Sequence, residues 1–293
     1  MSLKIYIDGK LIDKQDAKIS VFDHGLLYGD GVFEGIRAYK CLVFKLKEHI
    51  DRLYESAHTI MLSIPLSKQE MAAAVVETLK ANDLADAYIR LVVTRGVGDL
   101  GMDPRKCPKP SVIIITDKIK LYPEQLYRDG LKIITVPTVR NLSEALNPQI
   151  KSLNYLNNIM AKIEAVNSGV EEAILLNSLG FVTECTGDNI FVVKNGEVYT
   201  PPQYMGLLRG ITRDTVLDLG RAAKISMREQ IMTRHEIFNA DEMFLTGTAA
   251  EIIPVVQVDG RVIGEGKPGA LTLKLMKAFH AATRKNGVKY SLR

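Results

Sequence analysis

Asn147-Pro148-Gln149-Ile150-Lys151-Ser152-Leu153-Asn154-Tyr155 is the stretch on which the reading of this chain turns. Pro148 disfavours helix for the residue before it, so the chain arrives extended. From about Leu153 the apolar residues Leu156, Ile159, Met160, Ile163 and Val166 recur at helical spacing, and Gly169 is placed to end the run. Lys151 therefore falls at a loop-to-helix junction beside an apolar helix face. A lysine partly withdrawn from water there is prepared to condense with a carbonyl as a Schiff base. Most lysines are solvated surface residues, so the case depends on the rest of the chain.

Upstream of this stretch, residues 131–136 read as a strand, and the polar segment 117–130, containing Pro123, reads as a domain boundary. The expected organisation is an N-terminal α/β domain over 1–120, a linker over 121–130 and a C-terminal α/β domain over 131–293 that carries Lys151. In the first domain, Ile5-Tyr6-Ile7, Asp8-Gly9 and Lys10-Leu11-Ile12 spell a hairpin. The second half of 21–39 alternates like a strand and turns at Lys40-Cys41 into Leu42-Val43-Phe44. Helices follow over 46–61 and, from the capping box Ser67-Lys68-Gln69-Glu70, to about Lys80; 88–94 and 112–116 read as buried strands.

Beyond Lys151, strands are expected at 173–177, 181–184, 189–193 and 198–200, the last two joined by an Asn195-Gly196 turn. A helix begins near Ile211, and Thr233-Arg234-His235-Glu236 caps another. Strands at 243–245 and 252–258 enclose Thr246-Gly247-Thr248-Ala249-Ala250-Glu251, and 270–283 is an amphipathic helix. Strand runs with separate helices predict two α+β domains, not a regular βαβ array.

Composition narrows the function. With 293 residues, 46% hydrophobic and 25% charged, the chain is an ordinary globular protein. A net charge of +4, with no basic block interleaved with aromatics, argues against nucleic acid as the partner. No apolar signal core or bilayer-length run is evident, so a cytoplasmic location is expected and a membrane is not. The three cysteines form no Cys-x-x-Cys pair and the five histidines no His-Glu-x-x-His, so no metal is expected.

Gly96-Val97-Gly98-Asp99-Leu100-Gly101 matches a dinucleotide fingerprint, but Pro104, Pro108 and Pro110 leave no room for the helix that would receive a pyrophosphate. Gly29-Asp30-Gly31 fails because a strand follows it. Two other sites have better context for a phosphate. Gly210-Ile211-Thr212 opens a helix, where free N–H groups bind an anion or are simply capped. The small residues at 246–250 let amides approach a ligand, or make an ordinary turn. Glu184 ends a strand ahead of the turn-prone Cys185-Thr186-Gly187-Asp188-Asn189. A Schiff-base lysine, phosphate-binding amides and an acid for a ring nitrogen are together what pyridoxal phosphate requires.

These stretches resemble the class IV pyridoxal-phosphate aminotransferases, and most closely the branched-chain amino acid aminotransferases. The resemblance runs from Tyr6-Ile7-Asp8-Gly9 to Val258-Asp259-Gly260. It is most specific at Tyr28-Gly29-Asp30-Gly31-Val32-Phe33-Glu34-Gly35-Ile36-Arg37-Ala38-Tyr39, Lys151-Ser152-Leu153-Asn154-Tyr155, Glu184-Cys185-Thr186-Gly187-Asp188-Asn189, Gly210-Ile211-Thr212-Arg213-Asp214 and Gly247-Thr248-Ala249-Ala250-Glu251. It implies the two-domain class IV aminotransferase fold, similar to D-amino acid aminotransferase, and a homodimer or higher assembly acting on amino acids and 2-oxo acids. It further implies that Lys151 carries the cofactor and moves the proton, that Glu184 meets the pyridine nitrogen and that Tyr155 meets the phenolic oxygen. Arg52, Ile211, Thr212 and Thr248 would bind the phosphate. Thr248, Ala249 and Ala250 would meet the substrate carboxylate, and Tyr28, Phe33, Gly35, Tyr88, Arg90 and Tyr122 would line the substrate pocket, with Arg90 on the distal carboxylate of glutamate or 2-oxoglutarate. The implied activity is transamination between L-leucine, L-isoleucine or L-valine and 2-oxoglutarate in ping-pong order.

One departure keeps alternatives open. Many branched-chain enzymes have a Gly-Gly pair after the lysine, whereas Ser152-Leu153-Asn154 stands here, as in some D-amino acid aminotransferases and aminodeoxychorismate lyases. The Arg-x-His pair typical of the D-specific enzymes is missing after Arg95-Gly96, where Val97-Gly98-Asp99 follows. Joint retention of Lys151 and Glu184 argues against an inactive scaffold.

Overall fold

A computed structural model describes residues 2–119 and 122–292; Leu121, at the start of the expected linker, lies outside the described residues. The chain forms two compact units. The first comprises Met1–Ile119, Ile150–Asn154 and Thr283–Arg293, and the second Lys120–Gln149 and Tyr155–Ala282. This differs from the continuous 131–293 domain read from the sequence, because the lysine segment and the C-terminal stretch belong with the first unit.

The first unit is a seven-stranded antiparallel sheet with helices. β1 (Lys4–Ile7) and β2 (Lys10–Asp13) form the expected hairpin. Asp8 and Gly9 turn at φ 48° and 88°, the left-handed pair that matches strand twist. Next come α1 (His24–Tyr28), β3 (Gly31–Tyr39), β4 (Leu42–Phe44), α2 (Leu46–Thr59), α3 (Lys68–Ala81), β5 (Ala87–Thr94) and β6 (Ser111–Asp117). The C-terminal strand Gly287–Lys289 pairs with β4, and the order continues β3, β5, β6, β1, β2. α3 opens on a complete capping box, in which the Ser67 hydroxyl accepts from Glu70 N at 3.2 Å and Glu70 Oε2 accepts from Ser67 N at 2.7 Å.

β3 and β5 run through the middle, paired from Gly31↔Thr94 to Ala38↔Ala87. Alternation therefore divides their side chains between two faces. Val32, Ile36, Ile89, Leu91 and Val93 join Leu46, Ile50, Leu53, Met71, Val75 and Leu79 of α2 and α3 in one core. Each fully buried Leu or Ile there contributes about 1.5–3 kcal/mol. Phe33, Gly35, Tyr88 and Arg90 stand on the opposite face.

The second unit contains α4 (Glu124–Asp129), β7 (Leu131–Thr135), α5 (Leu156–Asn167), β8 (Glu172–Leu176), β9 (Val182–Cys185), β10 (Asn189–Lys194) and β11 (Glu197–Thr200). It continues with α6 (Ile211–Ala222), β12 (Met227–Glu229), α7 (Arg234–Phe238), β13 (Glu242–Gly247), β14 (Glu251–Val258), β15 (Arg261–Val262) and α8 (Ala270–Ala282). The nine-stranded mixed sheet has the order β12-β11-β10-β13-β14-β7-β8-β9, with β15 on β14. The neighbours β14–β7–β8 and β11–β12 are parallel and the other pairs antiparallel.

α5 corrects the sequence reading twice. It starts at Leu156, not near Leu153. Its large apolar stripe, Leu156, Ile159, Met160, Ile163 and Val166, is half or more exposed, while Ala161 and Ala165 pack against Val136, Ala173 and Leu175. Small residues let the helix lie close to β8, and the bulky stripe is turned outward. The periodicity is that of a helix, but the side facing its own unit is the alanine side.

Candidate active site

Lys151 is held through its backbone. Its N–H donates to the Ser56 hydroxyl of α2 at 3.1 Å, and its carbonyl accepts from Phe33 N of β3 at 3.0 Å. Leu153 N donates to Gly31 O at 2.9 Å, and Asn154 Nδ2 donates to Gly29 O at 2.9 Å. Gly31 makes this approach possible, since a Cβ there would lie 2.7 Å from both Leu153 Cδ1 and Val93 O. A short extended segment is thereby laid along the start of β3, with the lysine amine 4.6 Å over the Phe33 ring. Within its own unit, the apolar surface that the Lys151 amine meets is this aromatic ring.

Phe33 also carries a second cation, the Arg90 guanidinium, at 4.8 Å. Arg90 Nη2 donates to the Tyr88 hydroxyl at 3.2 Å. Gly35 pairs with Arg90 across the strands, and a Cβ on it would meet the Tyr88 hydroxyl at 2.1 Å, so this arrangement requires glycine. Among the described residues no carboxylate pairs with Arg90, so the internal salt bridge that a charge in this strand would suggest is not what holds it. Tyr28, on α1, donates from its hydroxyl to Leu100 O at 2.5 Å and pins the glycine-rich loop.

Arg52 lies on the core side of the same unit, with Glu34 fully buried beside it. Glu34 Oε1 accepts from Arg52 Nε at 2.7 Å, and Oε2 accepts from Arg52 Nη2 at 2.8 Å and meets His49 Nδ1 at 2.7 Å. Burial pushes the Glu34 carboxyl up, but the Arg52 charge and the His49 contact outweigh it and hold it at about 2. Burial pushes His49 the other way, below its ordinary value, with the Arg52 and Lys151 charges adding to the effect.

In the second unit Glu184 is buried, not an exposed strand end. Arg140 Nε donates to its Oε1 at 2.9 Å and Arg140 Nη2 lies 2.8 Å from the same oxygen, while Asn189 Nδ2 and Leu208 N donate to its Oε2 at 3.3 and 3.1 Å. Arg140 is itself fixed by donation from Nη1 to the side-chain oxygens of Asn157 and Asn158. Asn189 also donates to Leu208 O at 2.9 Å, tying Glu184 to the approach to α6.

α6 begins after Gly210, which offers no side-chain cap and whose Cβ would come 2.0 Å from Asn189 Oδ1. Thr212 is buried in the first turn, so this helix end has both amides and a hydroxyl for an anion. Thr248, Ala249 and Ala250 form the tight turn between β13 and β14, closed by Glu251 at φ 59°. Just ahead of it the Thr246 hydroxyl is buried without a hydrogen-bond partner. Tyr155 stands at the N-cap of α5, half-buried. Tyr122 sits in the core of the second unit with its phenol pushed well up by burial, Asp188 and Glu172 adding to the effect.

Sequence reasoning overlooked Arg140, Glu34, His49, Ser56 and Asn189. Arg140 and Glu184 lie 44 positions apart, and no local pattern links them. A signal did exist for the others in the first unit: Glu34 is the one acid in a largely apolar strand, and His49, Arg52 and Ser56 recur on one helical face.

The first unit thus holds a backbone-clamped lysine, and the second holds a buried carboxylate ringed by donors, a helix N-terminus without a side-chain cap and a buried Thr246 hydroxyl beside a small-residue turn. The chain belongs to the class IV amino-transferases, whose family profile matches residues 31–258. It is 56% identical over 287 residues to a Methanocaldococcus jannaschii protein provisionally named a branched-chain-amino-acid aminotransferase, covering 98% of this chain and 99% of that one. It is 38% identical to the D-alanine aminotransferase of Bacillus licheniformis over 94% of this chain and 96% of that one. Its structure matches that of the branched-chain amino acid aminotransferase of Escherichia coli at TM-score 0.94 and 34% identity, covering 99% and 98% of the two chains. The two-domain α+β fold expected from the resemblance is the one found.

Proposed function

We propose that this chain transfers amino groups between L-leucine, L-isoleucine or L-valine and 2-oxoglutarate, with pyridoxal 5'-phosphate as its resident cofactor. The observation that carries this reading is Lys151, whose backbone is fixed from both sides while its amine projects over an aromatic ring. When bound, the cofactor supplies a carbonyl for amines and a ring that takes up an electron pair from the substrate Cα. Lys151 would hold the cofactor, and its Nζ would take the proton from the substrate Cα. Glu184, braced by Arg140, would meet the pyridine nitrogen, and Tyr155 the phenolic oxygen. Arg52, Ile211, Thr212 and Thr248 would hold the phosphate, and Thr248, Ala249 and Ala250 would orient the substrate carboxylate. Phe33 and the tyrosines at 28, 88 and 122 accommodate an aliphatic side chain, with Gly35 leaving space.

A panel of L- and D-amino acids, assayed by keto-acid formation on the reconstituted enzyme, tests the assignment. Turnover confined to L-leucine, L-isoleucine, L-valine and L-glutamate is expected. Preference for D-alanine, the reading favoured by the Bacillus licheniformis similarity and by Ser152-Leu153-Asn154, would replace it.

Arg90 is assigned the distal carboxylate of 2-oxoglutarate. Arg90→Ala is expected to lower kcat/KM for 2-oxoglutarate and glutamate by about 1.5–3 kcal/mol, the worth of a charged hydrogen bond, with a smaller change for leucine. Single-turnover rates for the two half-reactions separate these effects; equal losses in both would remove Arg90 from substrate recognition.

We further propose a homodimer or larger assembly working in the cytoplasm. Val21, Phe22, Leu26, Leu100 and Met102 on the first unit, and the outward stripe of α5 on the second, are exposed apolar side chains of the kind that a second copy covers. Sedimentation velocity is expected to show no monomer at micromolar concentration. The three unpaired cysteines suit a reducing compartment.

A further inference from the structure

Glu34 is the only acidic residue of β3, and it points into the core. Its carboxylate takes Nε and Nη2 of Arg52 in a fork-to-fork contact and His49 Nδ1 on the same side as Nη2. One turn further along α2, Ser56 receives the Lys151 amide, and Phe33, the residue before Glu34, donates to the Lys151 carbonyl. The same strand and the same helix face thus hold both the lysine segment and the arginine. We propose that Glu34 is a positioning residue for Arg52, fixing the plane and direction of its guanidinium so that the cofactor phosphate meets a preformed donor, with His49 bracing the carboxylate. This rests on the reading above that Arg52 binds that phosphate.

The physical case starts from rotamer freedom. An unbraced arginine samples many rotamers, and ordering it at each binding event weakens the complex. A two-point contact between planar groups removes that freedom before the ligand arrives. Stability alone is a poor reason for such an arrangement, because apolar side chains of similar volume usually serve a core at least as well as a buried ion pair. Glu34 stays ionised against its burial, so the contact persists throughout the neutral range.

The test compares two probes on the apoenzyme, pyridoxal 5'-phosphate and pyridoxal, which lacks the phosphate. Wild type is expected to favour the phosphorylated probe. Glu34→Gln keeps the side-chain shape and is expected to weaken pyridoxal 5'-phosphate about 10- to 100-fold while leaving pyridoxal unchanged. Glu34→Asp keeps the charge but draws the carboxylate back, and is expected to change the same ratio in the same direction. In an Arg52→Ala background the Glu34→Gln effect should vanish, since the two act as one unit. Phosphate discrimination undiminished in both Glu34 variants, or equal weakening of both probes, would overturn the positioning role and leave the Arg52 reading standing. Undiminished discrimination in Arg52→Ala alone would overturn the Arg52 reading and the proposal with it.

Discussion

Lys151→Ala is expected to lower transamination by about 10⁴-fold or more, the upper range for loss of a positioned proton-transfer group, compounded by loss of the covalent anchor. The fold should survive. The hydrogen bonds through the backbone of Lys151 and Leu153 and through the Asn154 side chain do not use the Lys151 side chain, and they remain when it is cut to a methyl. Melting temperature and far-UV circular dichroism serve as controls. Borohydride reduction and peptide mapping of wild type are expected to place the cofactor on Lys151. In the variant, added methylamine should restore part of the rate, because a free amine can replace the missing one as a base. Label on another lysine, or a variant with more than a few per cent of wild-type turnover, would refute the assignment.

Glu184→Gln should cost about 10²–10³ in turnover, comparable to removing a charge-stabilising donor from an enzyme site. Glutamine keeps the volume and an oxygen toward Arg140 but removes the negative charge. Alanine would be a poorer choice, since stripping the carboxylate from a buried guanidinium costs several kcal/mol in stability and confuses folding with catalysis. Reduction should still place the cofactor on Lys151 in the glutamine variant, which separates attachment from turnover. Near-wild-type turnover would mean that another acid serves the ring nitrogen.

Much of this arrangement was legible from local chemistry. Hairpin turns at Asp8-Gly9 and Asn195-Gly196 both take the left-handed backbone their residues favour, and the capping boxes at Ser67 and Thr233 both form. The strand carrying Glu184 stands within a residue of the expected 181–184, and the helix opens at Ile211, just after Gly210, as expected. Pairings distant in sequence were not legible. Arg140 with Glu184 and Glu34 with Arg52 are products of sheet and helix packing, and neither partner's neighbourhood encodes the other. The outward stripe of α5 eluded the reading for another reason: periodicity reports that one side of a helix is apolar, not whether its own chain covers that side.

The composition of the first unit bears on the order in which the chain can be built. Its strands β1 to β6 leave the ribosome early, but its lysine segment comes from the middle of the sequence and its edge strand Gly287–Lys289 comes after the whole of the second unit. The nascent first unit therefore waits with an unpaired edge at β4 and with Ser56 and the Phe33 amide lacking their native partners. The second unit has all its strands before the first is complete. Vectorial synthesis thus delivers the later unit whole before the earlier one, so the sheet that frames Lys151 gains its edge strand only after the second unit has emerged.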